Sequence, residues 1–279
     1  MSGPISISGM AAIADRYDAF LIDQFGVLRD GRGPYPGAAE TLSMLKRAGK
    51  TVIILSNSGK RATGNSTRLA KLGFDESSWD AFLTSGEVAW RMLGKARQSD
   101  ASAQTCLLVS RDGDTSAMDG LGLLRTHKGE DADVILLAAS EGDVYPLSHY
   151  EAMLAPAAGR GVPCLCTNPD RIMLTRDGTA YGAGVIAELY ERLGGTVRWI
   201  GKPFPDMYAA ALEIAAVAPD RICCIGDSVE HDIAGAAGAG LASVLVTTGI
   251  LEHMTDGERA ALFHEHGATP DYILPRFIW

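Results

Sequence analysis

The chain has no long uninterrupted hydrophobic run; its apolar stretches are broken by charge or glycine within about ten residues, too short to span a bilayer. It also lacks an excess of positive charge. The formal net charge is −9, which argues against a nucleic-acid partner or an anionic membrane surface but leaves room for a small anion at a local positive site. Low-complexity tracts are missing, and 279 residues with 47% hydrophobic content suffice for one large or two ordinary cores. The opening segment, MSGPISISGMAAIADRYD, has no basic stretch leading into a long apolar one, so no secretory signal is expected. Cysteine is sparse and odd in number: Cys106, Cys164, Cys166, Cys223 and Cys224, all in apolar, strand-like runs. That setting predicts reduced, buried thiols in a cytoplasmic protein. Cys164 and Cys166 have the spacing of half a metal site, but no second ligand pair stands at a suitable distance along the chain.

What the sequence does have is an alternation of apolar runs and amphipathic stretches, punctuated by glycine. A short helix over Gly9–Arg16 should lead into a buried strand, Ala19–Ile22, ending in Asp23. A helix over Gly37–Ala48 stops at Gly49; a continuous apolar strand, Thr51–Leu55, then runs into Ser56-Asn57. A helix over Asn65–Leu72, a strand over Ala81–Thr84 and a helix from near Gly86 continue the alternation, which predicts a parallel sheet with right-handed crossovers. Residues 86–195 break the pattern. They carry their own strands at Thr105–Val109, Asp133–Leu137 and Val162–Cys166, and a hairpin of Ile172–Thr175 with Ala180–Tyr181 turning at Asp177-Gly178. The first pattern resumes with a strand Val197–Ile200, a helix Pro205–Ala216, a strand Arg221–Ile225 and a helix Glu230–Ala237. A strand Ser243–Val246, a helix near Asp256–His266 and a strand Tyr272–Leu274 complete it. The expected architecture is α/β: a three-layer Rossmann-like parallel sheet core from residues 1–85 and 196–279, with an α/β cap domain inserted at 86–195. The glycines of GAAGAG follow a helix instead of opening one, so they predict packing and capping, not a dinucleotide site.

Residues capable of chemistry stand at the strand ends: Asp23, Ser56-Asn57, Lys202, and Asp227 with Asp232. In a parallel sheet those ends share one edge, the edge where ligands bind. Carboxylates gathered there repel one another unless a cation sits among them. Mg²⁺ fits, because it takes hard oxygen ligands from one or two carboxylates, water and substrate phosphate. An ammonium and a hydroxyl would hold phosphoryl oxygens, and phosphoryl transfer is largely positioning and charge stabilisation. Each piece alone has a plainer reading. An Asp at a strand end serves as a turn or cap, Ser-Asn as a helix cap and Gly-Lys-Pro as a loop.

Taken in order along the chain, the motifs LIDQFGVL, IILSNS, IGKPFPDMY and IGDSVEHD resemble the haloacid dehalogenase-like hydrolase superfamily. The inserted segment CTNPDRIMLTRDGTAYGAG is similar to the large cap of its class IIA, NagD-like branch, among sugar-phosphate and nitrophenyl-phosphate phosphatases. The resemblance covers nearly the whole chain. It implies that Asp23 attacks phosphorus and forms an aspartyl-phosphate. Ser56, the Asn57 N–H and Lys202 would bind the phosphate of a small phosphorylated metabolite. Asp23, the Phe25 carbonyl and Asp227 would hold Mg²⁺, and Asp232 would orient Asp227 or its loop. The cap would close over the site and choose the substrate. Asn168 would face it from the cap, while Asp170 would either do the same or cap a helix. Homodimers are common among similar proteins, and a homodimer is an expectation by resemblance alone.

One position departs from the pattern. Phosphatases of this superfamily usually carry a second Asp two residues after the nucleophile, on the same side of the extended segment, which protonates the leaving oxygen. Here that position is Phe25, which offers a carbonyl but no proton. A phenol leaving group has a pKa near ~10 and an alkanol near ~16, a difference bounded at about 8 kcal/mol, of which the transition state feels a fraction. Aryl, acyl and anhydride phosphates therefore remain reachable, and simple sugar phosphates become harder. Asp30 and His231 are the nearest replacement donors along the chain, though surface positions for both are the simpler expectation. Two other functions stay open: a metal-independent dehalogenase-like hydrolase, which an aromatic at this position also fits, and a catalytically weak protein that binds a phosphorylated ligand.

Overall fold

A computed structural model of the chain describes residues 3–100, 102–175 and 178–279. The chain divides into two compact units, one of residues up to 56 with 63–83 and 202–279, the other of residues 57–62 and 84–201.

The first unit is built on a seven-stranded sheet. Its order is Ile5–Ser6, Tyr272–Leu274, Ala242–Val246, Ile222–Gly226, Ala19–Asp23, Thr51–Ser56, Ala81–Thr84. The pairings from Ile5–Ser6 across to Thr51–Ser56 are all parallel. Ala19–Asp23 and Ile222–Gly226 are buried at every residue, which is why these strands read as unbroken apolar runs and not as alternating ones. Helices Ala38–Arg47, Pro205–Ala215 and Asp256–Glu265 flank this sheet in the Rossmann-like manner expected, with Pro205 opening the second and a Thr255–Glu258 capping box the third. Register aligns the strand ends. Asp23 stands opposite Leu55, and Ile225 opposite Ile22, so Asp23, Ser56 and the residue after Gly226 all emerge at one sheet edge.

Three local elements differ from the sequence reading. Gly9–Arg16 is not one helix but two 3-10 turns, Met10–Ala12 and Ala14–Arg16. The end of the chain packs against it: Met10 donates its N–H to the Ile278 carbonyl at 2.8 Å, and a Cβ at Gly9 would stand 2.1 Å from the Trp279 oxygen. The Glu230–Ala237 helix is instead a π-helical turn, Val229–Ile233, followed by a short helix, Ala234–Gly238. Ile5–Ser6, unanticipated, pairs with Tyr272–Leu274 at the sheet edge.

The second unit has a five-stranded parallel sheet ordered Val197–Trp199, Cys164–Cys166, Val134–Leu137, Thr105–Val109, Leu124–Thr126. By its sequence, Val197–Ile200 should reopen the first sheet. Instead Val197–Trp199 pairs with Cys164–Cys166, because helix Ala183–Arg192 returns the chain beside the strand it left, as an ordinary strand–helix–strand crossover does. This unit therefore runs to Gly201 and takes in residues 57–62, a wider span than 86–195. Its core gathers Leu107, Ile135, Tyr150, Leu154, Ile186 and Tyr190, and the Tyr190 hydroxyl donates to the Val162 carbonyl at 2.6 Å. The hairpin pairs Ile172–Thr175 with Gly178–Tyr181; Asp177 of its expected turn lies outside the described residues. All five cysteines are buried free thiols. No described helix is long and apolar enough to cross a membrane.

Candidate active site

Four of the strand-end residues meet in the first unit. Asp23 closes its buried strand at 8% exposure, and Lys202, at 4%, turns its ammonium onto the Asp23 carboxylate and onto Asp232 Oδ1, the latter at 2.7 Å. Asp232 stands in the π-helical turn, and its Oδ2 meanwhile accepts the Ser228 N–H at 3.1 Å. Asp227 follows the neighbouring strand, and its Oδ2 accepts the Ile250 N–H at 3.1 Å. One oxygen from each of Asp23, Asp227 and Asp232 lies within 4.8 Å of the others.

Three carboxylates thus face one ammonium. Burial pushes Asp23 up to about 7, with Lys202 opposing the rise and Asp232 adding to it. Burial pushes Asp227 up to about 8, and the Asp23 and Asp232 charges push the same way. Burial works against the charge of Lys202, but Asp23 and Asp232 outweigh it and hold the ammonium well above the ordinary lysine value.

Backbone shape makes room beside these groups. Gly26 and Gly249 both have positive φ, +89° and +65°, and a Cβ on either would stand 1.9 or 2.0 Å from Asp227 Oδ2. Thr248 ties the two loops together by donating its hydroxyl to the Gly26 carbonyl at 2.6 Å. Sequence reasoning misses Thr248 and Gly249. The available signal is their place after Ala242–Val246, a strand of the same parallel set. An all-oxygen donor set, surplus negative charge and a cradle that a methyl group would fill together fit a small divalent cation.

The remaining expected residues are spread over both units. Ser56 ends the strand beside that of Asp23, one residue beyond the Asp23–Leu55 pair. Phe25 is 42% exposed with the Arg29 guanidinium 5.0 Å from its ring centre. Asp30 is turned into its own loop, accepting N–H groups of Arg32 and Gly33, which hold its carboxyl below the usual range and therefore ionised at neutral pH. His231 Nδ1 lies 3.1 Å from Ser228 Oγ. Asn57 and Asn168 belong to the second unit. The Asn57 amide donates to Asp170 Oδ1 at 2.9 Å, and Asn168 Oδ1 accepts the Asp170 N–H at 3.2 Å, shaping its own loop. Asp170 caps no helix: Ala183–Arg192 starts from Gly182 with no side-chain cap. A cavity of about 620 Å³ in the second unit, bordered by Arg111, Asp143, Thr175, Thr179 and Tyr181, contains none of the expected site residues.

Residues 20–124 match the family described as haloacid dehalogenase-like hydrolase, and residues 199–278 a HAD-hydrolase-like family. The haloacid dehalogenase-like hydrolase domain-containing protein 2 of Rattus norvegicus is 30% identical over 83% of this chain and 84% of its own. The structure of p-nitrophenyl phosphatase from Archaeoglobus fulgidus is 25% identical, covering 93% of this chain and 96% of that one at a TM-score of 0.76. A glycerol phosphate phosphatase from Mycobacterium tuberculosis, solved with calcium, is 27% identical over 85% of this chain and 68% of its own, with a TM-score of 0.69. The chain belongs to the haloacid dehalogenase-like hydrolases, in the class IIA, NagD-like branch of phosphatases.

Proposed function

We propose that this protein is a Mg²⁺-dependent phosphatase of small phosphorylated metabolites, working through an aspartyl-phosphate on Asp23. The observation that carries the reading is the cluster itself: three buried carboxylates around one lysine at a sheet edge. Asp23, Asp227 and the Phe25 carbonyl would hold the cation, which when bound neutralises their charge and polarises a phosphoryl oxygen. Lys202 opposes protonation of the Asp23 carboxylate and aims it, and with Ser56 and the Asn57 N–H takes the phosphoryl oxygens. An Asp23 oxygen attacks phosphorus while the bond to the leaving oxygen breaks and that oxygen takes the electron pair. Water then attacks the phosphorus of the aspartyl-phosphate, releasing phosphate and restoring Asp23. Asp232 holds Lys202 in place.

With Phe25 where a proton donor usually stands, the leaving oxygen departs without help from that position. Relatives whose names point to an aryl ester and to glycerol phosphate bracket the choice, and Phe25 favours the aryl side. The test is a panel of phosphate esters ordered by leaving-group pKa, with and without Mg²⁺, on the purified chain. Expected are Mg²⁺-dependent hydrolysis of p-nitrophenyl phosphate, rates that fall steeply toward alkyl esters, and a loss of more than about 10³-fold in Asp23→Asn. Activity surviving that substitution would remove the nucleophile assignment. Halide release from a 2-haloacid in EDTA would replace the reading with the dehalogenase one.

A further inference from the structure

Ser56 and Lys202, which the proposed chemistry uses, are each one peptide bond away from a tight cluster in the second unit. Ser56 is followed by Asn57, and Lys202 is preceded by Gly201. Asn57 is 9% exposed, and its side-chain nitrogen is committed to Asp170 Oδ1 at 2.9 Å. Its Oδ1 faces Gly201. A Cβ at Gly201, where φ is +125°, would stand 2.9 Å from Asn57 Oδ1, from Pro169 Cδ and from Ser85 Oγ. Segments far apart in sequence therefore converge on one side-chain amide.

Both sides of this clasp are braced. Asp170 receives the Gly184 N–H on its carbonyl at 3.1 Å, and a Cβ at Gly182 or Gly184 would come 2.0 Å from the Asp170 oxygen or 2.3 Å from that of Pro169. On the other side, the Gly86 N–H reaches the Ser58 carbonyl and the Thr84 hydroxyl reaches that of Lys60 at 2.7 Å. A Cβ at Gly59 would stand 1.9 Å from the Ala138 oxygen. The Asp170–Asn57 hydrogen bond joins these two loops.

We propose that Asp170 is a positioning residue: its hydrogen bond to Asn57 sets the backbone from which Ser56 on one side and Lys202 on the other project. The inference rests on the proposed function for the roles of Ser56 and Lys202. Asp170 itself touches no reacting atom; it acts through the Asn57 amide. A carboxylate accepting from an amide makes a strong, directional contact, and small errors in placing catalytic groups are costly in rate.

The test measures kcat and KM on p-nitrophenyl phosphate with Mg²⁺ for the full chain, Asp170→Asn and Asp170→Ala, with hydrogen exchange tracked over residues 56–61 and 199–203. Asp170→Ala should lose about 10- to 100-fold in kcat with KM within about 3-fold. Asp170→Asn keeps an acceptor oxygen and should stay within about 3-fold of the parent in both constants. Exchange over both segments should quicken in the Ala variant alone. An unchanged kcat in Asp170→Ala overturns the proposal, as does equal damage in both variants. A loss confined to KM overturns it too, because Asp170 would then contact substrate. Should Asp170→Ala not fold, Asn57→Ala takes its place under the same expectations, since it keeps the Asn57 backbone N–H. If the parent hydrolyses nothing, the proposed function fails on its own. Exchange then decides the clasp: faster exchange in Asp170→Ala supports it, and unchanged exchange overturns it.

Discussion

Two groups of buried charge occupy the two units of this molecule, and they are built on opposite plans. In the second unit Glu87 has a side chain only 10% exposed, yet it meets Arg61 Nε at 2.5 Å and Arg91 Nε at 3.2 Å. Burial alone would raise its pKa, but the Arg61 guanidinium, with the Ala62 N–H and Arg91, holds it below the usual range. The Arg61 guanidinium in turn lies 3.7 Å from the ring centre of Trp90. In the first unit Asp23 and Asp227 are buried as well, yet their pKa values go up, because burial is uncompensated where three carboxylates share one lysine. The Glu87 group surrounds its one anion with positive charge and is a structural fixture. The Asp23 group is left short of positive charge, as the proposed cation seat requires.

That contrast breaks most readily at Glu87. Glu87→Ala strips the anion from Arg61 and from the half-exposed Arg91 and should cost about 1.5–3 kcal/mol of stability, read as a drop in melting temperature, with the response to Mg²⁺ preserved. A cost below about 1 kcal/mol would show that the group is screened like a surface pair. Phe25→Asp sharpens the other side. It adds a carboxylate to a region already rich in them and supplies the missing proton donor, so alkyl phosphates should gain about 10- to 100-fold in kcat/KM and aryl phosphates much less. An equal gain for both classes would mean that the proton comes from elsewhere. Gly249→Ala tests the cradle. Its methyl group collides with Asp227, and the half-saturating Mg²⁺ concentration should rise about tenfold.

The contrast also explains what can be read from the sequence. Asp23 and Asp227 are legible because each sits at or just after the end of a strand-like run, and strand ends in a parallel sheet share an edge; Lys202 follows a strand of the other sheet and Asp232 stands inside a π-helical turn, so only the resemblance of their motifs marks them. Phe25 is legible as a departure for the same reason. Val197–Trp199 is not, because a strand's apolar pattern does not say which of two parallel sheets it joins; only the crossover from Cys164–Cys166 decides that. The Asn57–Asp170 contact joins residues 113 apart, and Gly249 matters only because Asp227 stands next to it in space. Neither can be derived from spacing along the chain. Asp170, readable equally as a site residue or a helix cap, caps no helix, and its carboxylate holds Asn57.

The central claim is that the Asp23 group is a cation seat, and its pH dependence tests that most directly. Asp23 near 7 and Asp227 near 8 lie above the ordinary carboxylate value. Between about 4 and those values the folded chain holds more protons than the unfolded one, so stability without metal falls as pH rises through that window. Glu87, held below its usual value, acts the other way: its contribution is present above the unfolded pKa and lost as pH falls through the folded one. A cation competes with the protons on Asp23 and Asp227. Melting temperature measured with and without saturating Mg²⁺ should therefore show a stabilisation that is small near pH 5 and grows to about 2–3 kcal/mol near pH 8. In Asp227→Asn that growth should vanish, and the metal-free protein should be more stable than the parent at the higher pH. A Mg²⁺ effect equal at both pH values, or undiminished in Asp227→Asn, would contradict the account.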